Sequence, residues 1–375
     1  MKRLALLASL YLAQGLPYGF FTLAVPAVLR QEGHSLRVVG LSSALALPWA
    51  LKFLWAPAVD RWGRRKTWIV ALQAVTVLVL MALATVSAEA APALAVGMLV
   101  ASLLAATQDI ATDGLAVRLL SPAERGLGNG VQVAGYRLGM ILGGSAILWV
   151  FARMGWAAAF GGMALVLALL TVPIARWPER AAEPVDATPL DLLGTLRAIG
   201  PLWVGVLLTL KLGEAAAGAM VRPWLIDAGW SLEGLGGLLG VGGSAFGLVG
   251  ALLGGWLAGR SRVAAVVGSG LAQATCIAAL AVAGDGVVPL VLIEHVASGM
   301  TTAALFTAMM DRCRHRLEAT DYTLQASLVV ISAGVGASMS GFGAEALGYP
   351  WFFAVCAGLG LLAAGLAAYT MRSTS

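Results

Sequence analysis

Residues Asp60 to Ala88 read DRWGRRKTWIVALQAVTVLVLMALATVSA, a basic cluster followed by a run with no charged side chain before Glu89. About 20 apolar residues carry a helix across the hydrocarbon core of a bilayer. This stretch therefore predicts a membrane span entered from a charged loop. The pattern continues through all 375 residues, of which 59% are hydrophobic and 11% charged. Soluble domains carry about 25% charged residues, so too little polar surface is present to cover a water-soluble protein. That excludes a soluble enzyme, a nucleic-acid-binding domain and a disordered scaffold. The net charge of +5 sits in short clusters between apolar runs, as membrane topology requires. Cys276, Cys313 and Cys356 are scattered without CxxC spacing and read as small packing residues. Met1-Lys2-Arg3 and the apolar run behind it imitate a signal peptide but lack a small-residue cleavage site, so a retained first helix is expected.

Extending the same reading gives twelve spans, at 4–29, 37–59, 66–87, 92–118, 126–152, 156–176, 198–222, 234–258, 262–283, 287–311, 320–345 and 349–371. These runs are too long and too uniformly apolar for barrel strands. Of the 24 Lys and Arg residues, seventeen fall in loops on the N-terminal side, four on the other side, and Lys52, Arg137 and Lys211 within spans. The positive-inside rule then puts both termini in the cytoplasm. The longest polar stretch, with Pro178, Pro184 and Pro189, separates six spans from six. The expected domains are a bundle at 1–177, a cytoplasmic linker at 178–197 and a second bundle at 198–375. Gly33-His34-Ser35-Leu36, with Gly40, and Gly229-Trp230-Ser231-Leu232, with Gly236, repeat G-x-S-L-x-x-x-G at an offset of 196. The reading is an all-α membrane protein of twelve helices in two pseudo-symmetric six-helix bundles, the architecture of parallel-repeat transporters.

An ionisable group at bilayer depth is costly unless it faces a partner or water, which makes each one a candidate. Asp109 and Asp113, four residues apart, share a helix face with Gln108 nearby. Two such acids repel, and one of them keeps its proton more readily, as a proton-coupling site needs. Lys52 either snorkels or serves a site. Tyr136-Arg137 lies deep in its span, where the arginine needs an acid or a substrate anion. Lys211 and Glu214 share a face at i, i+3 and either neutralise each other or act. Glu294-His295 adds a group that titrates near neutrality, unless the pair lies at the interface. The expected proton-coupling set is Asp109, Asp113, Glu214 and His295. The expected substrate set is Lys52, Gln108, Tyr136, Arg137, Lys211 and Glu294.

The loop Ala56-Pro57-Ala58-Val59-Asp60-Arg61-Trp62-Gly63-Arg64-Arg65-Lys66 resembles the major facilitator superfamily signature G-x-x-x-D-R-x-G-R-R/K, with Ala56 in place of the first glycine. The resemblance implies a gating latch of Asp60, Arg61, Gly63, Arg64 and Arg65. At the equivalent place in the second half Gly259 stands where the acid would be, so one full latch is expected. Leu51 to Pro57, Ala106 to Asp113, Gly135 to Gly139 and Lys211 to Ala215 resemble the muropeptide permease (AmpG-type) branch and its RhtX/FptX-type siderophore-permease relatives. Within it, Asp113-Gly114-Leu115-Ala116-Val117 and Ala319-Thr320-Asp321-Tyr322-Thr323-Leu324-Gln325-Ala326-Ser327 look more like the siderophore importers. The resemblance implies a proton-coupled importer of ferric siderophore in a bacterial inner membrane. A muropeptide importer and an efflux transporter of the same fold are the alternatives.

No Walker-type motif is present, so ATP is not the direct energy source. A membrane-embedded transferase would need clustered nucleophiles and bases, whereas His34, His295 and His315 are far apart. Neither cofactor nor metal is expected. The expected partners are a small solute, anionic or a ferric chelate, and protons, with the chain a monomer in the lipid.

Overall fold

The computed structural model describes residues 2–31, 42–62, 64–86, 91–179, 191–283 and 286–372. The described residues are almost entirely helical. Among the described residues, ten helices are long and apolar enough to cross a membrane: α1 Lys2–Gln31, α4 Arg65–Thr85, α5 Pro92–Leu119, α6 Arg125–Ala175, α8 Pro201–Asp227, α9 Gly236–Arg260, α10 Arg262–Leu280, α11 Val287–Asp311, α12 Glu318–Leu347 and α13 Tyr349–Arg372. Shorter helices include α2 Ala44–Leu54, α3 Ala56–Arg61 and α7 Leu192–Ile199.

Two expected boundaries change. The fifth and sixth spans form one 51-residue run, α6, broken at Gly155 (φ 76°, ψ −173°). A side chain rarely adopts that left-handed backbone, so glycine marks the reversal that the sequence placed at 153–155. The second span, read as a continuous 37–59, consists over its described residues of a pair of short helices that meet at Trp55. Pro57 explains the interruption: it donates no N–H and its ring crowds the carbonyl four residues earlier. The stretch read as linker contains α7, which Asp191 caps by accepting the Gly194 N–H at 2.8 Å. The first copy of the G-x-S-L repeat lies outside the described residues.

By contact the chain divides into two units. Unit 1 comprises 1–119, 134–190 and 314–323, and unit 2 comprises 120–133, 191–313 and 324–375. In unit 1 one apolar core gathers Phe20, Phe21, Trp49, Ala105, Phe160 and Met163, and a second gathers Leu10, Val59, Ile69, Ile110, Leu115 and Ala319. The core of unit 2 packs Leu225, Leu238, Ile277, Val291, Phe352 and Phe353. Large apolar side chains remain exposed in both, among them Leu78 and Leu165 in unit 1 and Phe342 and Leu362 in unit 2. Acyl chains cover such surfaces.

Small residues set the closest helix approach in unit 1. A Cβ on Gly15 of α1 would lie 2.1 Å from the Tyr136 carbonyl oxygen of α6, and one on Gly139 would lie 2.3 Å from the Leu12 oxygen. This is the tight small-residue packing that association in lipid relies on. Gly15→Val is expected to lower the thermal unfolding midpoint in detergent by several degrees, since overpacking costs about 1–3 kcal/mol. Gly161→Ala, whose Cβ would meet nothing within 4 Å, is the matched control and should leave the midpoint unchanged.

Candidate functional site

In unit 1, Lys52 opens the 3-10 turn Lys52–Leu54 at the interruption between α2 and α3. The break turns its ammonium onto α5, where it pairs with Asp109 Oδ2 and stands 3.6 Å from Asp113 Oδ2. Tyr11 Oη of α1 donates to Asp113 Oδ1 at 2.9 Å. All four side chains are buried; Lys52 and Asp113 are each 3% exposed. Two carboxylates around one ammonium leave one negative charge that no fixed cation in the triad balances. A low-dielectric surrounding makes that imbalance expensive and favours uptake of a proton or another cation.

Beside the triad, Tyr18 packs edge-on to Trp49 with ring centroids 5.1 Å apart, and Tyr136 lies 5.7 Å from Tyr18. Gln108 Nε2, Thr112 Oγ1, Trp49 Nε1 and both amide atoms of Gln14 are buried without a hydrogen-bond partner. Buried polar groups are normally satisfied, so these five atoms offer themselves to water or a solute. Arg137, half-buried, follows Tyr136 on α6.

Unit 2 repeats the chemistry with different residues. Leu210 and Lys211 interrupt α8, and Lys211 stands at the start of Leu212–Asp227. Its ammonium pairs with Glu214 and donates to Thr302 Oγ1 at 3.0 Å. Ser298 Oγ donates to the other oxygen of Glu214 at 2.6 Å. Glu294 accepts from Gln273 Nε2 at 3.1 Å and lies 3.2 Å from His295 Nδ1. That same nitrogen is 2.9 Å from the Val291 carbonyl oxygen. Glu294, Ser298 and Thr302, at successive intervals of four, form one polar stripe along α11.

The charged loop is organised around Asp60. Its carboxylate pairs with Arg65 and accepts the Thr320 N–H at 2.7 Å, the Thr320 hydroxyl at 2.6 Å and the Ala319 N–H at 3.2 Å. Glu318 stands 3.8 Å from Arg65. Burial pushes the Asp60 carboxyl above the ordinary carboxylate range, while Arg65 and the donors from Thr320 and Ala319 pull it down. Of the other expected latch residues, Arg61 and Arg64 are exposed, Arg61 lies over the Trp62 ring at 5.6 Å, and Gly63 lies outside the described residues.

Unit 2 also holds a charged node, although Gly259 carries no acid. Asp311, at the end of α11, takes Arg125 Nη1 at 2.8 Å and Arg262 Nε at 2.7 Å on its two oxygens. Arg262 also donates to the Pro122 carbonyl. Sequence reasoning missed Asp311, together with Tyr11, Trp49, Gln273, Ser298 and Thr302. The four-residue spacing of Ser298 and Thr302 from Glu294 is the one local signal that pointed to any of them.

The Major Facilitator Superfamily profile matches residues 7–336. The chain is 30% identical over 389 aligned positions to the anhydromuropeptide permease of Escherichia coli (strain K12), covering 94% of this chain and 76% of that one. It is 25% identical to putative transporter AmpG 4 of Rickettsia felis, covering 88% of this chain and 89% of that one. Among solved structures, the transporter FucP in its outward conformation superposes with a TM-score of 0.76 at 14% identity, covering 97% of this chain and 98% of that one. The human organic anion transporter MFSD10 gives a TM-score of 0.74 at 16% identity, covering 98% and 99%.

Removing the acid of the loop tests the Asp60 anchor. Asp60→Ala leaves Arg65, which is 1% exposed, with only the longer pair to Glu318 at 3.8 Å, and removing one partner of a buried ion pair costs about 3–5 kcal/mol. The expected result is a marked fall in the thermal midpoint, mostly recovered in Asp60→Ala/Arg65→Met. Equal midpoints for the wild type and the single variant would contradict the anchor.

Proposed function

The chain belongs to the Major Facilitator Superfamily, and we propose that it is a proton-coupled importer of anhydromuropeptide acting by alternating access. Membership of the family makes it a multi-pass membrane transporter of a small-molecule solute. The muropeptide reading is carried by the likeness to the anhydromuropeptide permease, 30% identical with 94% of this chain covered. That relationship favours it over the ferric-siderophore reading. The two segments that suggested a siderophore, 113–117 and 319–327, meet where Gly114 packs against Ala319. This contact gives Gly114 and Ala319 a packing role.

Proton coupling is supported by the unbalanced charge of the Lys52–Asp109–Asp113 triad. Asp109 and Asp113 carry the exchangeable proton in unit 1, and Glu214 and His295 serve in unit 2. Lys52 and Lys211 hold carboxylates in the resting arrangement and become available to cargo when those acids take a proton. Gln108, Tyr136, Arg137 and Glu294 contact the solute, with Asp60 and Arg65 as the gating pair. The protein sits as a monomer in a bacterial inner membrane with both termini in the cytoplasm.

Uptake into right-side-out vesicles under an imposed pH gradient tests this. Radiolabelled anhydromuropeptide should accumulate when the outside is acid, and the rate should fall by about tenfold or more in Asp109→Asn and in Glu214→Gln. Uptake indifferent to the gradient removes proton coupling. Accumulation of a ferric siderophore with no uptake of anhydromuropeptide restores the other cargo.

A further inference from the structure

Asp113 and Gly114 are consecutive residues on α5, yet they serve different neighbours. Asp113 belongs to the ion triad, held by Tyr11 at 2.9 Å and facing Lys52 at 3.6 Å. Gly114 is the floor on which the first turn of α12 rests: a Cβ there would lie 2.8 Å from Ala319 Cβ and 3.1 Å from Ala319 Cα. Ala319 is fully buried and shares an apolar core with Val59, Ala111 and Leu115. Its N–H and that of Thr320 bind Asp60. A rigid helix thus joins the triad to the Asp60 anchor through one peptide unit.

Near Asp113 stand Asp109 on its own helix, Lys52 on α2 and Tyr11 on α1. Tyr322 of α12 lies near Tyr11, and Tyr136 of α6 is within reach of the same field. Around Asp60 and Arg65 stand Glu318, Arg118 and Glu179.

We infer that Asp113 and Gly114 couple the charge state of the triad to the seating of the first turn of α12 on Asp60, with Tyr11, Gly114 and Ala319 as positioning residues. The physical reason is geometric. While ionised, Asp113 clamps α5 between the Tyr11 hydroxyl and the Lys52 ammonium. A neutral carboxyl loses the pull of Lys52 and becomes a weaker acceptor for Tyr11. The turn of α5 carrying Gly114 is then free to shift, and a close-packed contact with no spare volume transmits the shift to Ala319. This rests on the reading of the triad as the coupling site, since only there does its charge change during turnover.

Amide hydrogen exchange of the peptide covering 317–323, in the full-length protein in nanodiscs, reads the seating without reference to transport. Asp113→Asn and Tyr11→Phe should each speed exchange there by about tenfold while leaving a peptide within 349–372 unchanged. Gly114→Ala should do the same by steric means, and Gly114→Ala/Ala319→Gly should return most of the protection. Should Gly114→Ala destabilise the whole chain, Tyr11→Phe carries the test with one hydroxyl removed. Fast exchange in Gly114→Ala with none in Asp113→Asn and Tyr11→Phe reduces the contact to packing and overturns the inference. So does unchanged exchange in all three. Vesicle uptake that ignores the pH gradient, with exchange still responding to Asp113→Asn, refutes the proton reading and leaves the coupling standing.

Discussion

The structure of unit 1 depends on what happens to a lysine that cannot reach water. Lys52 is 3% exposed, and an isolated ammonium in a low-dielectric interior loses many kilocalories of hydration. Two carboxylates from one face of α5 compensate it, and Tyr11 fixes one of them. Such an arrangement is poor as a stabilising device, since apolar side chains of equal volume often serve as well or better. Its persistence at bilayer depth fits a group of charges kept for what they exchange.

Both intramembrane lysines stand beside a helix interruption, Lys52 in the last turn of α2 before the break at Trp55 and Lys211 within α8. A break exposes backbone groups that lipid cannot satisfy, so irregular backbone at this depth is tolerated only against protein or water. The two units differ in how the acids are supplied. In unit 1 both come from α5, whereas in unit 2 Glu214 is on the lysine's own helix and Glu294 is on α11. Hydroxyls of Ser298 and Thr302 complete the second cluster. The first is left with unpaired amide and indole groups.

Each unit also includes a short piece of chain from elsewhere in the sequence, 314–323 in unit 1 and 120–133 in unit 2. An acid at a helix end receives each piece. Asp60 does so through backbone N–H groups at the start of α12, which suit an anion because they are unpaired in the helix itself. Asp311 does so through Arg125, with Arg262 beside it. Where Gly259 carries no acid, this unit's charged node is built on an acid from another helix. A comparison of repeats along the chain does not reveal this, because it tests only the equivalent position.

The succession of apolar membrane segments, and the identity of most buried charges, Glu318 and Asp321 excepted, were determined by the sequence alone. Transfer into a bilayer is a sum of local contributions, and a run such as Thr67 to Ala88 declares itself without reference to any neighbour. The helix interruption at Lys211 and the partners of each charge were decided only by tertiary structure, whereas Pro57 marks the break at Trp55 locally. Pairing needs two helices side by side, and nothing around Tyr11, 102 positions from Asp113, or around Asp311 marks them as partners. The expected latch residues separate for the same reason. Asp60 and Arg65 meet because the turn after α3 brings them together, whereas Arg61 and Arg64, equally basic in the string, point away from the anchor into the exposed face. Composition states what must be buried or solvated, and only packing assigns each group its neighbour.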